Sequence, residues 1–545
     1  LQTTIYETEK RFINNDKEFM RGETIMKKRI LVSLLCMLLA ASAVFMTGCG
    51  GEGETEQTGG AGDTLVYGSQ DYTAINPALY EHGEINMLLF AGLTAHDAEN
   101  KVVPGLAKDW TFDEETLTYT FNLREDLTFH DGKPLTSADV KFTLEAILDP
   151  ANQSEIVSNY TDIKKITCPD DLTVKIQLNQ VNVAFPDYMT IGILPKHLLS
   201  GKNLTSCDFN QNPVGAGPYK MTGWDQGQSI TMEKFDGYYG GEPNIDNVIF
   251  KIVPDTDARS MQLQSGEIDM AQITAKTAGD VKKAGGYHIY QMNTADYRAV
   301  AYNFSKPLFA ENPEIPGALS YAVDRESIVK SVLLGEGEAA YSPLQKSPYC
   351  NDGIEKFEYN PEKAVKLLKD AGWKKNADGY FERNGTELGF TISAMSDDKV
   401  RVDMATVCAA QLQEIGVNAK AEAKPSLDWG GQDACIIGWG SPFDPDDHTY
   451  KVFSTGAGDN YTSYSNDRID EILAEARHTS DDAKRRELYG RFQQEMTEAM
   501  PYTFIAYVDA SYAVRENISG ITEKTVLGHH GVGVFWNIAE WEINE

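Results

Sequence analysis

The chain has 545 residues and a formal net charge of −32, with 41% hydrophobic, 10% aromatic and 24% charged residues. That length exceeds what one hydrophobic core supports, so at least two large lobes are expected. The acidity, without any basic stripe downstream of Arg29 to displace counterions, argues against nucleic acid as a partner.

Residues 1–25 are polar, lack a patterned core face and read as an upstream extension. Met26-Lys27-Lys28-Arg29 then leads into the apolar run Ile30 to Met46, the charged-then-apolar order of a secretory signal. Small residues before a cysteine, Thr47-Gly48-Cys49, resemble a bacterial lipobox. This makes 26–48 a lipoprotein signal peptide, Cys49 the lipidation site, and the extracytoplasmic face of the cell membrane the expected location. The alternative, an uncleaved membrane anchor, also leaves the bulk of the chain outside the cytoplasm. Residues 49–62, rich in Gly, Glu and Thr, cannot bury a core and read as a flexible tether.

From Asp63 onward strands and helices mix with no repeat period, an α/β pattern. Tyr119, Phe121 and Leu123 alternate with polar residues, as do Leu172, Val174, Ile176 and Leu178, which predicts two half-buried strands. Thr136 with Asp139 predicts a capping box opening a helix to about Leu148. Asn360-Pro361 and Gly372 bracket another helix through Ala364, Leu367, Leu368 and Ala371, and Asn466 opens a third through Ile469, Ile472, Leu473 and Ala476.

Beyond Cys36 and Cys49, five cysteines remain: Cys168, Cys207, Cys350, Cys408 and Cys435. An odd number without a C-x-x-C pair argues against a zinc ribbon or a redox site; a Cys168–Cys207 bridge stays open. Asp131-Gly132 is a turn dipeptide, which makes His130 a structural neighbour of that turn. The glycines of 213–219 read as a chain crossing rather than a phosphate cradle. Ser327 and Lys330 have the S-x-x-K spacing of acyl enzymes, but no K-T-G or S-D-N partner accompanies them. The pair His529-His530 is expected to decorate an exposed tail.

Ordered short motifs supply more. They are Ala107-Lys108-Asp109-Trp110, Tyr119 to Arg124, Phe129-His130-Asp131-Gly132, Pro213 to Tyr219, Gln264 to Asp269, Ala322 to Glu326, Asn360 to Trp373, Gly438-Trp439-Gly440 and Asp444-Pro445-Asp446. In this order they resemble the family 5 extracellular solute-binding proteins that serve dipeptide, oligopeptide and nickel importers. The resemblance implies a two-lobed periplasmic-binding-protein-like α/β fold of the class II type. Lobe I would be 63–300 plus 502–545, with an extra subdomain at about 94–213, and lobe II would be 301–501. It also implies a monomer without cofactor or catalysis, which passes a small ligand to an ABC permease and ATPase complex; a ligand sensor is the alternative of another class.

The ligand-side residues it implies are Tyr80, Trp439 and Phe443, with Asp444 and Asp446 placed to hold a cationic group or cap a helix. Short peptides are the expected cargo, with nickel or another metal chelate as the alternative. The aspartate that meets a ligand ammonium in the dipeptide branch is Pro442 here, and the spacing Trp439 to Pro445 is closer to the nickel branch. No arginine stands at the positions that hold chelate carboxylates in that branch, around Asn152 to Val157 and Ile191 to Leu194. Pro316 replaces an arginine usual before the Ala318-Leu319 helix.

Overall fold

Sheets organise the described residues, which in the computed structural model are 63–80 and 83–544. Cys49, the signal-like run and the tether lie outside them. The first sheet has seven strands in the order Tyr287–Met292, Ala510–Arg515, Met270–Ile273, Thr64–Ser69, Asn247–Ile252, Ser229–Lys234 and Tyr219–Asp225. The second has six: Gly337–Ala339, Tyr502–Val508, Tyr297–Tyr302, Ala434–Trp439, Gly389–Met395 and Asn418–Lys424. Gly389–Met395 is parallel to both its neighbours, and helix Lys399–Ile415 connects it to Asn418–Lys424. Such a crossover is what parallel pairing requires.

The chain passes between these sheets twice, from Met292 to Tyr297 and from Val508 to Ala510. Strand Tyr297–Tyr302 therefore runs through the 300/301 point chosen from sequence, and Tyr502–Val508 stays with the second sheet. The physical reason is a doubly covered central strand. Tyr297, Ala299 and Ala301 enter one apolar cluster while Val300 and Tyr302 enter the other, so its sequence lacks the polar alternation that would mark a boundary.

A four-stranded antiparallel sheet lies within 94–213, ordered Ala107–Asp113, Thr118–Leu123, Thr173–Leu178 and Ile163–Asp170. Tyr119, Phe121, Leu123, Val174, Ile176 and Leu178 are buried as their alternation predicts. Leu172 is 38% exposed, because it sits in the turn before its strand. Thr136 and Asp139 form the reciprocal capping box of helix Ser137–Leu148. Asn360 caps Pro361–Asp370 through Lys363 N at 2.9 Å, and Asn466 caps Asp467–Arg477.

The 213–219 stretch is a close crossing: a Cβ on Gly215 would lie 1.9 Å from Leu89 O. His130 sits against it, with Nε2 3.1 Å from Gly217 O and Nδ1 accepting from Gly215 N at 3.2 Å. Protonating Nδ1 would set two donors face to face, and burial already pushes this imidazole down to about 4. The folded-state value lies below the ordinary 6.5, so the stability it contributes is present above pH 6.5 and is lost as pH falls from 6.5 towards 4. Lowering pH from 7 to 5 is expected to cost about 2 kcal/mol through this group. Urea melts of the protein and of His130→Gln check it: the wild type should lose about 2 kcal/mol more than the variant, and equal losses would remove His130 as the cause.

Arg325 is buried and donates to the carbonyls of Ser320, Val323, Ala340, Phe357 and Phe504, a structural role for the Asp324-Arg325 motif. Ser327 and Lys330 are exposed on the short helix that follows. Pro316 lies in the first turn of Ile315–Ser320, where the missing N–H leaves no helical bond unmade. The five cysteines 168, 207, 350, 408 and 435 form no disulfide. No helix among the described residues is long and apolar enough to cross a membrane.

Candidate functional site

Strand Ala434–Trp439 ends in the loop that sequence singled out, at the carboxyl ends of parallel strands where α/β folds gather ligand groups. The loop leaves the strand at Gly440, whose φ is +152° and where a Cβ would lie 1.8 Å from Ala295 O. Only glycine fits such a crossing.

Trp439 is buried, with its indole near His448 (5.3 Å between ring centroids), His529 (5.6 Å, near-parallel) and Tyr461 (6.1 Å). Its Nε1 finds no hydrogen-bond partner among the described residues. A buried indole N–H is ordinarily paired, so this donor is left one acceptor short. Phe443 stacks flat on His96 at 3.7 Å, and His96 in turn meets Asp187 at 3.1 Å.

Both acids of the loop meet arginines of this chain. Asp444 forms a bidentate pair with Arg485, 2.8 Å on each side. Asp446 is 1% exposed and accepts from Arg477 Nη2 at 2.6 Å and Nε at 2.9 Å, and from Tyr188 Oη at 2.5 Å. Tyr80 is half-buried and packs with the core of the first sheet. Thus four of the five site residues lie together and the fifth belongs to the other core. The arginine partners were hidden from sequence reading because they sit on two later helices, Asp467–Arg477 and Asp482–Glu498.

Histidines complete the place. His529 is 8% exposed rather than on an open tail; only His530 is exposed, at a φ of +58°. His529 is held inside by Asp296, a fully buried carboxylate that meets His529 Nδ1 at 2.8 Å and accepts from His530 N at 2.9 Å. Burial alone would raise the Asp296 carboxyl, but adjacent Arg298 and His529 outweigh it and hold the group well below the usual carboxylate range. Burial pushes the His529 imidazole down to about 4, so it is neutral at pH 7. With Nδ1 donating to Asp296, the lone pair falls on Nε2, the arrangement by which a carboxylate prepares a histidine to ligate a metal. Among the described residues no group of three or more His, Cys, Asp or Glu could hold a bare metal ion.

Residues 101–461 match the model of the bacterial extracellular solute-binding proteins, family 5. The oligopeptide-binding protein AppA of Bacillus subtilis (strain 168) is 31% identical over 95% of this chain and 99% of its own. A solved structure of NikZ from Campylobacter jejuni in complex with Ni(L-His) is 38% identical, with a TM-score of 0.84 over 88% of this chain and 99% of that one. AppA from Bacillus subtilis in complex with a nonapeptide superposes with a TM-score of 0.79 at 31% identity, covering 88% of this chain and 99% of that one.

Proposed function

This chain belongs to family 5 of the bacterial extracellular solute-binding proteins, a non-enzymatic family, and from that premise we propose that its cargo is a metal ion carried in a small chelator. The carrying observation is His529 held by buried Asp296 beside the Trp439 indole. One or two histidines cannot hold a bare ion, but they can complete the coordination of a metal whose other positions a chelator fills. NikZ, with its Ni(L-His), supports the same reading.

Within it, 63–292 with 510–544 and 297–508 act as two lobes, and the two connections serve as hinges. Cargo touching both walls favours the closed form, because only differential contact shifts such a population. The closed shape is then recognised by an ABC permease and ATPase complex, with the protein tethered to the membrane through Cys49.

A second reading, short peptides, rests on AppA and its nonapeptide. Against it, Asp446 and Asp444, the acids nearest the aromatic pair, are already paired with Arg477 and Arg485, so neither is open to a peptide ammonium. Titration calorimetry with nickel and L-histidine is expected to show binding that weakens at least about tenfold in His529→Ala, the scale of a lost metal contact or its support. Tight binding of metal-free peptides, unchanged in His529→Ala, would replace this reading with the peptide one.

A further inference from the structure

A chelator of the amino-acid kind brings a carboxylate, and the positions expected from the nickel branch carry no arginine. A different pair of cations lies beside the histidines. Arg401 is 5% exposed in the first turn of the seventeen-residue helix Lys399–Ile415, and Arg298 is 6% exposed on strand Tyr297–Tyr302, directly across from Gly438. A Cβ on Gly438 would lie 2.2 Å from Arg298 Nη1, so the glycine before Trp439 is what lets this guanidinium pass.

Their acceptors fall short of their donors. Arg298 Nη1 binds Asp296 and Tyr297 O, while its Nε has no hydrogen-bond partner. On Arg401 neither Nε nor Nη2 has one. Asp398 Oδ2 comes within 3.0 Å of Arg401 Nε without hydrogen-bond geometry, and Asp398 Oδ1 caps the helix by accepting from Arg401 N at 3.0 Å. The oxygens of Asp296 are engaged by Arg298, His529 and His530. Three buried guanidinium nitrogens without hydrogen-bond acceptors are costly unless another oxygen arrives. Burial lowers Arg401 to about 10, so it remains charged at neutral pH. Its field and that of Arg298 reach His529. The helix terminus adds a positive potential at the same carboxyl end of Gly389–Met395.

We infer that Arg401, with Arg298 and the first turn of helix Lys399–Ile415, binds a carboxylate of the cargo next to His529. The choice of a metal chelate as the bearer of that carboxylate rests on the function proposed above; the carboxylate site itself does not, because a peptide carboxyl terminus has the same chemistry.

Two ligand pairs on the whole protein test it by calorimetry: nickel with L-histidine against nickel with histamine, which lacks the carboxylate, and a dipeptide against its carboxyl-terminal amide. At least one pair should show a preference of about 10- to 100-fold for the carboxylate. R401Q should reduce that preference to near one while leaving affinity for the carboxylate-free member within about threefold, since only the charge-assisted bonds are lost. R401K, which retains the charge but not the fork, should give an intermediate preference and decides the matter should R401Q not fold. A preference in the dipeptide pair alone would uphold the site and remove the metal reading. Equal affinities within both pairs in the wild type, or equal weakening of both members in R401Q, would overturn the site.

Discussion

Asp446→Ala is expected to destabilise the protein by about 3–5 kcal/mol, the range for breaking a buried ion pair by removing one partner. Arg477 is 2% exposed and would be left with an uncompensated charge, and Tyr188 would lose the acceptor of its hydroxyl. The position also ties distant parts of the chain together, since Tyr188 belongs to the 94–213 region and Arg477 O accepts from Val183 N. Replacing both partners, as Asp446→Ala with Arg477→Met, should recover at least half of the loss, because the dominant penalty is the unpaired charge. Chemical denaturation of the two variants measures this. A single-variant loss below about 1 kcal/mol, typical of a surface pair, would show that this pair is solvated in solution.

Asp296→Ala is expected to have the second large effect, this time on binding as well as stability. Three groups converge on that carboxylate: the Arg298 guanidinium, His529 Nδ1 and His530 N. Its removal leaves Arg298 buried without its countercharge and releases the tautomer and orientation of His529. Affinity for a nickel chelate should fall about 10- to 100-fold, the usual effect of losing the group behind a ligating histidine. Asp296→Asn is the informative companion. It preserves shape and can accept from His529, but it lacks the charge that answers Arg298, so it should lose stability while retaining part of the binding. Unchanged nickel-chelate affinity in Asp296→Ala would separate His529 from the cargo.

Local signals in the sequence were good guides where the physics is local. Thr136 with Asp139, Asn360 with Pro361, and Asn466 act within one helical turn, and each caps the helix assigned to it. The close backbone crossing at 213–219 was legible too, because Gly215 stands where a Cβ would strike a carbonyl. The loop from Trp439 to Asp446 stood out by composition. What its acids do did not, since the answer depends on Arg477 and Arg485, 31 and 41 residues away on separate helices.

His529 was misplaced for the same reason, its carboxylate partner being 233 residues distant. A histidine pair following the buried Leu527 and preceding the closely packed Gly531 carried a hint of burial that a tail assignment overlooked. The 300/301 point falls inside strand Tyr297–Tyr302, because a strand buried on both faces looks the same on either side of it. Arg401 left the clearest trace: an arginine facing the core on a long helix needs either a carboxylate of the chain or a ligand.

Native mass spectrometry with metal analysis on the purified protein separates the metal-chelate cargo from the peptide one. The expected result is one dominant bound mass that contains a metal together with a small carboxylate-bearing chelator, and its disappearance in His529→Ala. A spread of metal-free peptide masses that persists in His529→Ala would contradict it.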